Sequence, residues 1–103
     1  MELRKFGGTG RPVSALGLGG GYLSAVSREE GVKIVRIALE SGINYFDVAP
    51  SYKNGLNESI IAEGLGDRIK DVFVATKVLA RSYDKAKREL EGSLERLGKV
   101  DLV

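Results

Sequence analysis

Apolar and polar positions along this chain follow two alternating rhythms. Four short apolar stretches, centred on Leu18, Phe46, Val74 and Leu102, stand 28 residues apart, each from the next. A fixed period of that size marks a repeated supersecondary unit. Between the stretches, apolar residues recur at helical spacing, so the unit reads as strand, helix, strand with the strands parallel. The first helix follows Ser27 and Glu30, a Ser-x-x-Glu capping box whose two side chains can satisfy free N–H groups of the first turn. Gly31, Ile34, Val35, Ala38 and Leu39 form its apolar face, Lys33, Arg36 and Glu40 its polar face, and Gly42 can end it. The second helix, about Glu58 to Leu65, is short, buries Ile61 and Leu65 and stops near Gly66. The third runs from about Tyr83 to Leu97, with Ser82 as candidate cap, Ala86, Leu90, Leu94 and Leu97 as its stripe, and Gly98 as its stop. Ahead of the first unit, Glu2 to Phe6 and Arg11 to Ser14 flank Gly7-Gly8-Thr9-Gly10, which reads as a β-hairpin.

A hairpin followed by repeated β-α units is an α/β arrangement, and two architectures fit it: a barrel and a doubly wound open sheet. The rhythm does not choose between them. Asp101-Leu102-Val103 opens a fourth strand, while a complete (β/α)8 barrel takes about 250 residues. The expectation is that the rest of a barrel lies beyond residue 103; the alternative is a three-unit protein that closes by self-association.

Composition narrows the function classes. With 43% hydrophobic and 29% charged residues the chain is globular in character. The net charge is only +2, from 16 basic and 14 acidic residues spread along the sequence, so no basic patch points to nucleic acid or an anionic membrane. There is no cysteine and no histidine, which removes disulfides, thiolate and imidazole metal ligands and the commonest general base. No apolar h-region follows Met1 and no apolar run is long enough to span a bilayer. A soluble cytoplasmic protein without nucleic-acid or membrane partners is the expectation.

The polar residues at strand ends carry the candidate chemistry. Tyr45-Phe46-Asp47-Val48 ends near Asp47, and Val72-Phe73-Val74-Ala75-Thr76-Lys77 ends at Lys77. The C-terminal ends of parallel strands are where α/β folds place their sites. Tyr52 follows Asp47 by five residues, in a loop that holds Pro50, Asn54 and Gly55. Singly, Asp47 reads equally as a turn carboxylate, Lys77 as a solvated strand end and Tyr52 as packing. Together they can converge on one rim. A carboxylate can hold a cation beside a phenol, a cation there favours the phenolate, and a phenol so placed is a usable general acid nearer neutral pH. That suits protonation of a carbonyl oxygen as hydride reaches the carbon. The cluster Gly17-Leu18-Gly19-Gly20-Gly21 fails the dinucleotide fingerprint, because Tyr22 stands where its last glycine would be, and several residues separate the glycines from the cap at Ser27. It is either a flexible loop or a place of close backbone approach to a ligand.

These residues resemble the aldo-keto reductase family over essentially the whole chain. Gly42-Ile43-Asn44-Tyr45-Phe46-Asp47-Val48-Ala49, then Tyr52 and Asn57-Glu58, is similar to the family's Gly-x-Asn-x-Phe-Asp-Thr-Ala, Tyr and Ser-Glu, with Val48 for Thr and Asn57 for Ser. Ser14 to Gly19 resembles the first barrel strand, Val72 to Lys77 the lysine strand, and Leu94-Glu95-Arg96-Leu97 with Asp101-Leu102-Val103 the approach to the fourth. The resemblance implies the N-terminal portion of a single (β/α)8 TIM barrel over residues 1–103, with the hairpin at 1–14 and β-α units at 15–103. It implies NADPH, or less often NADH, as cofactor and a small carbonyl compound as substrate. By the same resemblance Tyr52 is the proton donor, Lys77 the cation that assists it and Asp47 the carboxylate that orients Lys77. Gly20, Gly21, Tyr22 and Asp47 fall at the cofactor. The family's fourth catalytic residue, a His after the Asp-Leu-Val strand start, and most of its phosphate and adenosine site belong to later strands. Two further readings accompany this one: a cofactor-binding regulatory subunit of the same fold, and a self-associating partial barrel.

Overall fold

The computed structural model describes all residues, Met1 to Val103. The chain opens with an antiparallel pair, β1 (Leu3–Lys5) and β2 (Pro12–Ser14), with Leu3 opposite Ser14 and Lys5 opposite Pro12. A single helical turn at Gly7–Thr9 joins them, and Gly10 leaves it in the left-handed region at φ 68°. Three parallel strands follow in chain order: β3 (Leu18–Gly19), β4 (Tyr45–Asp47) and β5 (Phe73–Ala75). Between and after them stand α1 (Arg28–Glu40), α2 (Leu56–Leu65) and α3 (Tyr83–Leu97). Leu102 makes a parallel bridge to Ala75, so a fourth strand begins on the outer side of β5.

The 28-residue period is the register of the sheet. Leu18 pairs with Phe46, and Phe46 with Val74. Leu102 comes in one position later, against Ala75 rather than Val74. Each strand is added on the same side as the one before, so the order shows no reversal point, as in the progression of a barrel.

Alternation along the strands sends side chains to two faces. On the helix side, Phe46, Val48, Val72 and Val74 are buried against Val32, Val35, Ala38, Ile60, Ile61 and Leu65. On the lumen side, Tyr45 and Phe73 stack with Phe6 of the hairpin, with ring centroids 4.8 to 5.8 Å apart. The hairpin thus plugs the bottom of the barrel. Arg11 adds to the plug, its guanidinium lying 5.3 Å over the Phe73 ring.

Each helix departs in detail from its sequence pattern. Ser27 accepts the Glu30 backbone N–H at 3.2 Å, but the Glu30 carboxylate turns to Lys33, 3.8 Å away, so the capping box is half formed. Val32 is buried on α1 beside Val35 and Ala38, while Ile34 is half-buried. The second helix starts two residues early, at Leu56, and buries Asn57 and Glu58 along with Ile60, Ile61 and Leu65. The third has the expected bounds, yet Ser82 makes no side-chain cap. Its stripe is unevenly covered: Leu97 is buried, Ala86 and Leu90 are half-buried, and Leu94 is 40% exposed. No helix is long and apolar enough to cross a membrane.

Contact between α1 and α2 needs a residue without a side chain: a methyl on Gly64 would lie 2.5 Å from the Val35 side chain. Gly64→Ala should therefore lower stability by about 1–3 kcal/mol, as overpacking does, read from the midpoint of urea unfolding.

Asp101 ties the start of the fourth strand to the rest. It accepts from the Val74 N–H at 2.8 Å, from Lys99 at 2.9 Å and from Arg11 at 3.1 Å. Burial pushes its carboxyl up, but the bonds from Val74, Lys99 and Arg11 outweigh that and hold it below the usual 3.8. A folded-state pKa below the unfolded one stabilises the fold above the unfolded value, and the gain is lost as pH falls through the folded value. Asp101→Asn should lower the melting temperature at neutral pH, and the two proteins' melting temperatures should converge as the pH drops below the ordinary carboxylate range.

Candidate functional site

The C-terminal ends of β4 and β5 bring together residues from three segments. Asp47 is the last residue of β4. Lys77 lies two residues past β5, on the same face as Phe73 and Ala75 by strand alternation. Its Nζ donates to Asp47 Oδ1 at 2.5 Å and to the Val48 carbonyl at 3.0 Å. Both side chains are partly exposed, at 41% for Lys77 and 39% for Asp47, so the pair sits at the mouth of the barrel and not in its core.

Tyr52 reaches the same place from the loop after β4. Its ring centroid is 5.9 Å from Lys77 Nζ, which places the ammonium beside the aromatic ring. The backbone holds it at both ends: the Tyr52 N–H donates to the Ala49 carbonyl at 3.2 Å, and its carbonyl accepts from the Asn57 N–H at 3.4 Å. The chain then turns through three successive left-handed residues, Lys53 (φ 47°), Asn54 (φ 52°) and Gly55 (φ 86°). Such conformations cost free energy in non-glycine residues and persist only where the surroundings enforce them. Here α2, starting at Leu56, fixes the exit of the loop.

The glycine-rich loop after β3 closes the other side, and its residues differ in what they touch. Gly20 is buried, and a side chain there would lie 2.9 Å from Val48 Cγ2 and 3.2 Å from the Asp47 carbonyl, so packing alone explains a glycine. Gly21 lies against Tyr52: a Cβ on it would sit 3.8 Å from the ring. Gly19 faces open space. Tyr22 is 89% exposed. Of the residues singled out in the sequence, the structure brings Asp47, Tyr52, Lys77 and Gly21 together, while Gly20 is buried against Asp47 and Val48 and Tyr22 is exposed.

Two neighbours on α2 hold these pieces, and neither role was visible in the motif. Asn57 is fully buried. Its amide donates to the Gly20 carbonyl and to Ser24 Oγ, both at 2.8 Å, and so clamps the loop at Gly20–Ala25. Glu58, also fully buried, accepts from Thr76 at 2.6 Å, Ser93 at 2.8 Å and Arg96 at 2.6 Å. A signal was present: Glu58, Ile61 and Leu65 lie at i, i+3 and i+7, so the carboxylate falls on the helix's apolar stripe.

A groove of about 370 Å³ runs along the lumen side from Phe6 and Val13 up past Gly17, Gly19 and Tyr45 to Asp47, within the size range of small-molecule sites. It reaches Asp47 but not Tyr52 or Lys77, so the rim residues stand at its upper end. Within it, burial and then the Asp47 charge push the Tyr45 phenol up, with Lys77 pulling the other way. Tyr45 therefore remains a protonated hydroxyl at neutral pH.

The sequence profile of the Aldo/keto reductase family matches residues 15–103, all of the chain beyond the hairpin. The chain belongs to this family. It is 36% identical to L-galactose dehydrogenase of Arabidopsis thaliana over 110 aligned positions, covering 94% of this chain and 34% of that one. Among solved structures it superposes on an aldo-keto reductase of Bacillus halodurans in its holo form with a TM-score of 0.88, at 32% identity, over 99% of this chain and 40% of that one. An aldo-keto reductase of Klebsiella pneumoniae, in complex with NADP and acetate, superposes with a TM-score of 0.80 at 26% identity, over 89% and 34%. The chain thus spans between a third and two fifths of these relatives, and its fold is the corresponding part of the (β/α)8 barrel.

Asn57→Ala should free the loop that Asn57 clamps. Losing buried hydrogen bonds costs roughly 1–3 kcal/mol, so amides of Leu23, Ser24 and Ala25 should exchange about tenfold faster or more, while those of α3 keep their protection.

Proposed function

We propose that the whole protein interconverts aldehydes or ketones and alcohols with NADPH, and that residues 1–103 form the N-terminal portion of its single barrel domain. The observation that carries this is the meeting of Asp47, Lys77 and Tyr52 at the C-terminal rim, with 2.5 Å between Lys77 and Asp47 and 5.9 Å from Lys77 to the Tyr52 ring. In the reductive direction Tyr52 gives its phenolic proton to the carbonyl oxygen of the substrate. Lys77 stands beside the phenol to offset the negative charge left on it, a preorganised cation at the point where charge develops. Asp47 and the Val48 carbonyl hold the Lys77 ammonium in place.

The residues present fit the nicotinamide end of such a cofactor. Gly19 leaves open space and Gly21 sets a backbone without a side chain beside Tyr52, which would let a flat ring come close. Asp47 offers a carboxylate at the head of the lumen groove, and the exposed Tyr22 ring borders the loop. When bound, the reduced nicotinamide supplies the hydride. NADPH is the choice we make over NADH, supported by the NADP bound to the Klebsiella pneumoniae relative. The cytoplasm is the location we propose, and a small carbonyl compound the partner.

Tyr52→Phe tests this reading. The whole protein carrying it should bind NADPH with unchanged affinity, read by quenching of protein fluorescence. Its turnover of simple aldehydes should fall by about 10²–10⁴-fold, the usual share of general acid catalysis. Unchanged turnover would overturn the assignment. Cofactor binding without any turnover in the wild-type protein would point instead to a non-catalytic subunit of the same fold.

A further inference from the structure

Glu58 is a fully buried carboxylate with no part in the proton transfer proposed above. Burying such a group is costly unless every oxygen is met by a donor, and here every donor comes from another element. Thr76 Oγ1 at 2.6 Å and Ser93 Oγ at 2.8 Å reach Oε1, and Arg96 Nε at 2.6 Å reaches Oε2. Thr76 is the residue directly before Lys77, and strand alternation sends the two side chains to opposite faces. Lys77 itself lies beyond the β5 ladder. The backbone just before it is held by two bonds: the Thr76 N–H to the Leu102 carbonyl at 3.0 Å, and the Thr76 hydroxyl to Glu58. Lys77 has a long flexible stem, so the place of its ammonium depends on where that backbone is anchored.

We propose that Glu58 is a positioning residue, which acts through Thr76 on the opposite face of the strand to set where Lys77 stands between Asp47 and Tyr52. A hydrogen-bonded carboxylate fixes direction as well as distance, which an apolar filler of the same volume does not. This inference rests on the catalytic reading of Lys77, and its test separates the two.

The experiment compares Thr76→Val, Thr76→Ser, Ser93→Ala and Lys77→Met in the whole protein. It measures kcat, KM for NADPH, the pH profile of kcat and the melting temperature. Thr76→Val removes the hydroxyl nearest Lys77 and should lower kcat roughly tenfold to a hundredfold, as misplacement of a reacting group does. It should also displace the pH profile, with KM for NADPH within about twofold of wild type. Thr76→Ser keeps the hydroxyl and should restore both. Ser93→Ala removes a bond to the same carboxylate oxygen away from β5, and should lower the melting temperature without moving the pH profile. A wild-type kcat and pH profile in Thr76→Val, beside a disabled Lys77→Met, would overturn the positioning role alone. Equal displacement by Ser93→Ala would likewise reduce Glu58 to a general structural part. An active Lys77→Met would overturn the catalytic reading and this one with it. Should Thr76→Val fail to fold, Thr76→Ala carries the same expectations.

Discussion

One buried carboxylate joins the last three elements of this chain. Glu58 stands on α2 with no exposed surface, and its donors come from the end of β5 and from α3. Taking one partner from a buried charged pair costs about 3–5 kcal/mol, because the other is left without compensation, and Arg96 is the charged partner here. The requirement spreads to the backbone. Gly55 lies under the Arg96 guanidinium, where a Cβ would come 2.5 Å from Nε, and its φ of 86° suits glycine. Gly55, Glu58, Thr76, Ser93 and Arg96 therefore form one unit, although the last stands 41 positions after the first.

The sheet divides the molecule between stability and chemistry. Its helix side is mainly apolar, built from Phe46, Val48, Val72 and Val74, with Thr76 bonded to Glu58 at its upper end. Its lumen side changes character with height. At the bottom Phe6, Tyr45 and Phe73 close it with aromatic rings, while at the top Asp47 and Lys77 meet solvent. The hydrophobic effect fixes the strands from behind, which leaves the polar ends free to face a ligand.

Much of this was legible in the sequence because it is periodic. The spacing of Leu18, Phe46 and Val74 is the strand register itself, and Asp47, Tyr52 and Lys77 inherit their convergence from it. Reading by residue type failed where polar side chains are buried. Glu58 and Ser93 belong by spacing to apolar stripes, but a carboxylate or hydroxyl reads as solvated unless its partner is known, and Arg96 is 38 positions from Glu58. The same limit explains α3. Its stripe of Ala86, Leu90 and Leu94 announces a face to be covered, and nothing in a local pattern says which element will cover it. The glycines were ambiguous for a different reason: Gly20 and Gly21 look alike in sequence, yet one is pressed against Val48 and the other against Tyr52.

The register has a consequence for how such a fold can change. Successive side chains of a strand point to opposite faces, so each strand's own alternation decides which of its residues turn to the helices. A whole unit inserted or removed leaves every remaining strand with its greasy side still turned to the helices and its polar tip still at the rim. A single-residue slip inside a strand would exchange the two faces and put Asp47 into the mainly apolar layer. Alternation therefore protects the fold strand by strand: duplication of a whole unit leaves the faces of the other strands as they are, and small insertions are confined to the loops.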